Sequence, residues 1–336
     1  FRNDRLGDFI IITNLIKAIK LKYPNSQIII LCSPYNYRFI KKYKIIDKIV
    51  LYDRKYPIIK KINIFFNIVK FDYFAAFAID GKTFSYLCNF FLNSKYKLGL
   101  VYRYYLFGLM FFKPNYLYNK FIFDKFETFT SKSHLKKIEH LPSKFINLEN
   151  YLNLNINTKD KYFYPLTKKN EIKFKGIFNY KIKSKYILLH FDEKWLDIKN
   201  IDTDLASFVL NMQILTKKKI VITSYKNNYK YYVNFKKRLK IIKNNKILLF
   251  ENINLEIMER LIKYSFFSIS CHSGFLVQIA GSNHANLIDI INNFDLKWYS
   301  CWKPKNTLHK FVFKSHKKQI SLKNILKKIL LIIRKF

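Results

Sequence analysis

The chain has 336 residues, half of them hydrophobic, which is enough for one large or two medium domains with proper cores. Its 62 Lys+Arg against 22 Asp+Glu leave a formal charge of +40, a surplus that favours anionic partners: nucleic acid, an acidic membrane face or phosphorylated ligands. The lysines are spread along the chain and not gathered into one tail, which speaks against a nucleic-acid-binding arm. Cys32, Cys88, Cys271 and Cys301 contain no Cys-x-x-Cys pair, and no apolar run approaches the roughly 18–20 residues of a membrane span, so neither a zinc ribbon, a disulfide framework nor a spanning helix is indicated. Lys, Ile, Asn, Phe and Tyr are abundant while Gly, Ala and Pro are scarce, the signature of AT-rich coding, which accounts for part of the charge.

Residues 2–8 read Arg2-Asn3-Asp4-Arg5-Leu6-Gly7-Asp8 and run directly into apolar Phe9, Ile12, Leu15, Ile16 and Ile19, with Lys17, Lys20 and Lys22 on the other face. This predicts a charge-dense loop feeding a helix over 8–22, a junction suited to anions because free amides and the helix dipole converge there. Asp8 at the helix start is either a cap or a working carboxylate. Short apolar runs at 27–31, 48–51, 73–79 and 97–101 read as buried parallel strands, with helices at 35–43, 57–69 and 83–92. Residues 101–142 do not alternate cleanly. Their aromatic and basic side chains, from Tyr102 to Lys113, suit either an irregular subdomain or a surface that touches lipid.

The second half repeats the alternation, with strands at 186–190, 220–223, 247–250, 266–270 and 286–290 and helices at 203–215, 228–239, 255–264 and 274–280. Two separate series of strand and helix mean two doubly wound α/β domains. The expected division is 1–160, 161–318 and a C-terminal helix at 319–336. That helix has Ser321 as cap and an apolar face of Leu322, Ile325, Leu326, Ile329 and Leu330. It either packs back on the body or lies on a membrane.

Three strand ends carry candidate chemistry. Ser270-Cys271-His272-Ser273-Gly274 closes a strand and opens a helix; Gly274 allows close backbone approach and Ser273 can donate to a phosphate. His272 is a structural imidazole or a ligand contact. His190-Phe191-Asp192-Glu193-Lys194-Trp195 follows the first strand of the second half as a charged loop with Lys194 next to Trp195. Asp80-Gly81-Lys82-Thr83 lies at another strand end, either lining an acceptor site or forming a turn and helix cap. No Gly-x-Gly-x-x-Gly follows a strand, which disfavours a Rossmann oxidoreductase, and no Asp-x-Asp metal motif stands out.

The series Asp4-Arg5-Leu6-Gly7-Asp8, Lys20-Leu21-Lys22-Tyr23-Pro24, Ile46-Asp47-Lys48-Ile49-Val50 and Tyr52-Asp53 resembles the start of the heptosyltransferase-like glycosyltransferases, glycosyltransferase family 9. The resemblance implies a GT-B arrangement of two Rossmann-like, doubly wound parallel-sheet domains facing a cleft, the first for the acceptor and the second for the nucleotide sugar. It also implies that the family's opening strand precedes Phe1, so the chain is expected to be shortened at its N-terminus. Residues 270–281 resemble the family's D-[ST]-G-x-x-H-x-A segment, with His272 in place of the Asp and Val277 in place of the His.

From that resemblance follows an inverting, metal-independent transfer of a sugar from a nucleotide-diphosphate donor to a lipopolysaccharide-type or other surface-glycan acceptor, without cofactor. It implies Asp8 as catalytic base, Arg5, Gly7, Lys194, Ser273 and Gly274 at the donor phosphates, and His272, Asp80 and Lys82 near the sugars. The expected partners are a nucleotide sugar, a lipid-linked or surface-glycan acceptor and an anionic membrane surface, with no nucleic acid. The expected location is cytoplasmic, peripheral at the inner face of the plasma membrane. A catalytically inactive or binding-only homologue is the first alternative, and a nucleic-acid-binding protein, on charge alone, the second.

Overall fold

The computed structural model describes residues 1, 6–107, 109–113, 116–154, 172, 174–176, 178, 185–224, 228–242, 244–251, 253–304, 308–315 and 320–336. Two compact units divide the chain: Phe1–Phe163 with Lys297–Trp302, and Tyr164–Leu296 with Lys303–Phe336.

In the first unit the apolar run after Gly7 makes two helices, α1 (Leu6–Ile11) and α2 (Thr13–Lys22), and not the single helix expected over 8–22. The break is local. Ile12 sits at φ −90°, ψ 0°, its amide turns back to the Phe9 carbonyl (3.1 Å), and the Thr13 hydroxyl takes the Ile10 carbonyl (2.7 Å). Strands β1 (Ile29–Cys32) and β2 (Lys48–Leu51) pair in parallel and are joined by α3 (Pro34–Ile40), where the Ser33 side chain accepts from the Asn36 amide. Next come α4 (Ile58–Val69), β3 (Asp72–Ala78), α5 (Thr83–Phe91) and β4 (Asn93–Leu106). Then follow β5 (Leu109–Lys113), α6 (Tyr116–Ile122), β6 (Lys125–Thr130) and α7 (Leu141–Asn150).

The irregular subdomain expected after residue 101 is regular: β4 continues to Leu106, β5 returns antiparallel along Tyr102–Leu106, and β6 pairs with β4 in parallel. Its aromatic and basic residues read poorly from sequence because both faces of this hairpin carry large side chains. Gly99 lets Phe123 lie flat on β4, since a Cβ there would fall 2.4 Å from that ring. The strands form two sheets, β1–β2 and β3–β4 with β5 and β6 on β4. An apolar cavity of about 780 Å³ lies between β1 and β3, walled by Leu15, Ile16 and Ile19 from α2 and by Ile30, Ala75 and Phe77. The segment from Lys297 to Trp302 completes this unit, with Trp298 and Trp302 against the Phe129 ring (5.7 and 6.2 Å between centroids).

Among its described residues the second unit holds six strands, all parallel: β7 (Tyr186–Phe191), β8 (Lys219–Ser224), β9 (Ile247–Phe250), β10 (Phe267–Ser270), β11 (Leu287–Asn292) and β12 (His309–Ser315). Their order is β12-β11-β10-β7-β8-β9, the doubly wound order in which succession reverses between β7 and β10. The strands are continuous apolar runs because both faces are covered. On one face α8 (Ile201–Thr216), α9 (Lys230–Ile242) and the C-terminal helix close over a core that includes Phe191, Trp195, Tyr231, Phe235 and Val209. The remaining helices of this unit are α10 (Leu255–Tyr264), α11 (Gly274–Ser282) and α13 (Leu322–Ile333), while α12 (Leu296–Trp302) belongs from Lys297 onward to the first unit.

Of the two readings of the C-terminal helix, packing back is the one realised. Leu322, Ile325, Leu326, Ile329, Leu330 and Ile333 of α13 are buried, and the helix lies on α8 and β12. Ile329→Ala should therefore cost about 2–4 kcal/mol, the range for truncating a buried aliphatic side chain. Urea unfolding of the two chains measures it, and unchanged stability would contradict this packing.

Candidate functional site

In an open parallel sheet the crevice for ligands lies beyond the carboxyl ends of the strands where their order reverses. Here that point is between β7 and β10, which pair directly, His190 beside Ser270. The two loops that leave these ends carry the residues singled out in the sequence.

The loop after β7 is rigid for visible reasons. Asp192 caps it, its carboxylate accepting the Lys194 amide (3.1 Å), and the Tyr231 hydroxyl donates to the Asp192 carbonyl (2.7 Å). Trp195 is fully buried, packs edge-on to Phe191 with centroids 4.7 Å apart, and its indole N–H donates to the His190 carbonyl (2.9 Å). With both neighbours anchored, Lys194 reaches across the switch point and donates from Nζ to the His272 carbonyl (2.5 Å). Behind it, buried Lys314 of β12 donates to the Lys194 carbonyl (2.5 Å) and to Asp197 (2.9 Å).

The loop after β10 turns through His272, whose φ of 57° is in the left-handed region. Its ring holds that turn: Nδ1 is 2.5 Å from the Asp289 carboxylate, which His309 Nε2 also approaches at 3.3 Å. Asp289 lies in β11 with no exposure, and its Oδ1 has no hydrogen-bond partner. Burial alone would raise the Asp289 pKa, but the two imidazoles outweigh it and hold the carboxylate well below its usual range. Burial likewise lowers the His272 pKa, only partly offset by Asp289, so the ring is a neutral donor to the carboxylate. Ser273 follows as the first flank of α11. Among the described residues its side chain makes no capping bond, its amide donates to the Ser270 hydroxyl (3.3 Å), and Gly274 at the start of α11 is exposed.

Lys194, His272, Ser273 and Gly274 are thus brought together in the second unit. The His272 ring serves Asp289, and its carbonyl serves Lys194. Val277 is buried inside α11. In the first unit Asp8 is half-buried in the first turn of α1, not ahead of the helix, and Gly7 beside it is buried. Arg5 lies outside the described residues, as do 225–227 after β8. Asp80 is 5% exposed and is occupied by its own turn, accepting from the Lys82 amide (3.0 Å) and the Ser85 hydroxyl (2.7 Å), while Lys82 itself is exposed. That geometry is an Asp-centred turn ahead of α5, whose own N-cap, Lys82, makes no side-chain cap. Among the described residues no group of three or more His, Cys, Asp or Glu is placed to hold a metal ion.

Sequence reading missed Asp289, His309 and Lys314. For Asp289 there is a signal: a lone acid inside the apolar run Leu287-Ile288-Asp289-Ile290-Ile291 must be buried and partnered. Lys314 has none, because one lysine among so many does not stand out.

Two groups beside the crevice, half-buried His190 and buried Asp192, titrate away from their ordinary values. Burial pushes the His190 pKa down to about 4, and pushes Asp192 up to about 6 against the pull of Lys194. A raised folded pKa favours the acid form, so the Asp192 contribution to stability is complete below pH 3.8 and is lost as pH rises through about 6. Asp192→Asn cannot ionise and should gain on the native protein over that window. The two should be equally stable near pH 4, with the variant ahead on the order of 1–3 kcal/mol at pH 8. Urea unfolding at both pH values measures this, and a pH-independent difference would contradict it.

No family model matches the sequence, and no curated protein matches it by sequence. Solved structures do match over nearly the whole chain. ADP-heptose LPS heptosyltransferase II of Escherichia coli superposes with a TM-score of 0.67 at 10% identity, covering 99% of this chain and 97% of that one. A glycosyl transferase family 9 protein from Veillonella parvula gives 0.66 at 11% identity, covering 99% and 96%. The UDP-GlcNAc 2-epimerase of Methanocaldococcus jannaschii gives 0.57 at 14% identity, covering 98% and 89%. At such identities the likeness is one of fold: the chain has the GT-B-type α/β fold, built of two Rossmann-like units.

Proposed function

We propose that this protein is a glycosyltransferase that moves a sugar from a nucleotide-diphosphate donor to a hydroxyl of a lipopolysaccharide-type or other surface-glycan acceptor, with inversion and without a metal. The observation that carries the reading is the pair of loops at the β7/β10 switch point. An ammonium has three N–H donors, and Lys194 uses one of them on the His272 carbonyl. The other two, with the Ser273 hydroxyl and the amide of exposed Gly274 at the start of α11, suit the oxygens of a diphosphate. The names of the fold neighbours, ADP-heptose heptosyltransferase and UDP-GlcNAc epimerase, point to nucleotide sugars as the ligand class.

In the proposed reaction the acceptor oxygen attacks the anomeric carbon and the bond to the diphosphate breaks. The electron pair leaves on the diphosphate oxygen, where Lys194, Ser273 and the Gly274 amide stabilise it. Asp8 takes the acceptor proton, and Arg5 and Gly7 contribute to the phosphate side. The positive groups for the leaving charge are thus side chains and amides of the chain itself. A second reading, a binding-only homologue, is favoured by one pair of observations: the His272 ring is turned to Asp289 and Val277 is buried, so neither offers a side chain to the donor sugar.

Titration calorimetry with nucleoside diphosphates and a transfer assay separate these readings. Lys194→Ala should weaken nucleoside-diphosphate binding by roughly 1–3 kcal/mol, the size of a charge-assisted hydrogen bond. Asp8→Asn should leave that binding intact and lower transfer by about 10²–10⁴-fold. Binding without transfer or hydrolysis of any nucleotide sugar would establish the second reading, and no binding at all would overturn both.

A further inference from the structure

A buried core explains most large apolar residues of the first unit, but one row of its surface stays uncovered. Helix α4 exposes Ile58, Ile59, Ile62 and Phe66, at 68, 70, 45 and 61%. Its neighbour α5 exposes Leu87 and Phe91, and a chain of ring contacts joins the two helices: Phe66 to Phe65, Phe65 to Phe91, Phe91 to Phe90. Helix α5 abuts α6, which exposes Phe121 at 77%, and α6 abuts β5, which exposes Leu109, Met110 and Phe111. At the end of the row is the turn between β4 and β5, where Phe107 is 94% exposed at a φ of 48°. Bulky side chains are outliers in that conformation, which favours Gly or Asn. An apolar side chain thus sits in a strained backbone at the most exposed point of the hairpin.

The charge along the same row has one sign. Residues 54–71 carry five basic side chains (Arg54, Lys55, Lys60, Lys61 and Lys70) and no acid. Residues 81–123 carry six (Lys82, Lys95, Lys97, Arg103, Lys113 and Lys120), of which Arg103 is paired with Glu139, again with no acid within the stretch over more than forty positions. The carboxylates that bound these stretches are Asp53, Asp72, Asp80 and Asp124, of which Asp80 is buried in its turn. A protein partner or a second copy would have to bring its own acids to meet these cations. A bilayer bearing anionic headgroups supplies both halves at once, acyl chains for the apolar tips and phosphates for the lysines and arginines around them.

We infer that the α4–α5 face and the β4–β5 hairpin of the first unit form a docking surface for an anionic membrane, with Phe107 as the inserted tip. The surface stands on its own residues and does not depend on the nucleotide reading. It shares no residue with the β7/β10 crevice, so failure of one leaves the other standing.

Co-sedimentation of the full chain with vesicles tests it, using phosphatidylcholine alone and phosphatidylcholine mixed with phosphatidylglycerol, at roughly 50 mM and 500 mM salt. Binding to the anionic vesicles at low salt should exceed binding to neutral ones, or at high salt, by about tenfold or more. Phe107→Ser should lower the partition coefficient about tenfold, as expected when one aromatic ring leaves an apolar phase. Phe91→Ser should lower it similarly; Phe107→Ser should leave the thermal melt unchanged because that ring is almost fully exposed, whereas Phe91→Ser also gives up ring contacts with Phe65 and Phe90 and is compared at a temperature where circular dichroism shows it folded. Equal binding to neutral and anionic vesicles would overturn the inference, as would native binding by both variants. So would light scattering that finds a dimer which Phe91→Ser dissociates, because the face would then belong to a second copy.

Discussion

One hydrogen bond organises the candidate site: the Lys194 ammonium on the His272 carbonyl, 2.5 Å across the point where the sheet of the second unit reverses its order. Bonds from charged donors contribute about 1.5–3 kcal/mol net, enough to hold a short loop in one geometry. Both ends are prepared by other contacts. Trp195 in the core and Asp192 at the cap fix the lysine's backbone, and Lys314 fixes its carbonyl. Asp289 holds the His272 ring and thereby the left-handed turn that aims the carbonyl. The result is a cation fixed beside the start of α11, an arrangement suited to an anionic ligand.

This organisation explains why the polar groups beneath the crevice are so deeply buried. Asp192, Ser270 and Asp289 are buried at or near strand ends, with half-buried His190 beside them. Burial sets their protonation: His190 is held neutral, Asp192 titrates near 6, and Asp289 stays ionised through its imidazoles. The first unit is built differently. Its sheet is in two pieces around an apolar cavity, and its outer face is apolar and basic. The two units therefore have different surface chemistry: one offers fixed donors to an anion, the other an aromatic and cationic face.

Much of the second unit is legible in the sequence because its strands are continuous apolar runs punctuated by polar strand ends. The run at 247–250 is β9 residue for residue, and 274–280 falls inside α11. Strand β12 escapes notice because its alternation of His309, Phe311 and Phe313 with Lys310 and Lys314 looks like one more basic stretch, yet Lys314 is 3% exposed and paired with Asp197. In the first unit the pattern misleads in the opposite direction. The apolar stripe from Phe9 to Ile19 keeps helical spacing across the break at Ile12, and periodicity cannot register the Thr13 hydroxyl that turns back to the Ile10 carbonyl there. The site follows the same division. Lys194, Ser273 and Gly274 are visible as residues at strand ends, whereas Asp289 and His309, which set the loop from behind, appear only when strands far apart in sequence are brought side by side.

The central claim is that the crevice between β7 and β10 receives a nucleoside diphosphate, and amide hydrogen exchange with saturating ligand tests it most directly. The account predicts slowed exchange at the amides of 192–195 and of 273–276, with little change elsewhere in the second unit, because these two loops hold the donors and little else there is poised to contact an anion. Bound nucleotide that leaves both loops exchanging at their free rates, and protects another part of the chain, would contradict it.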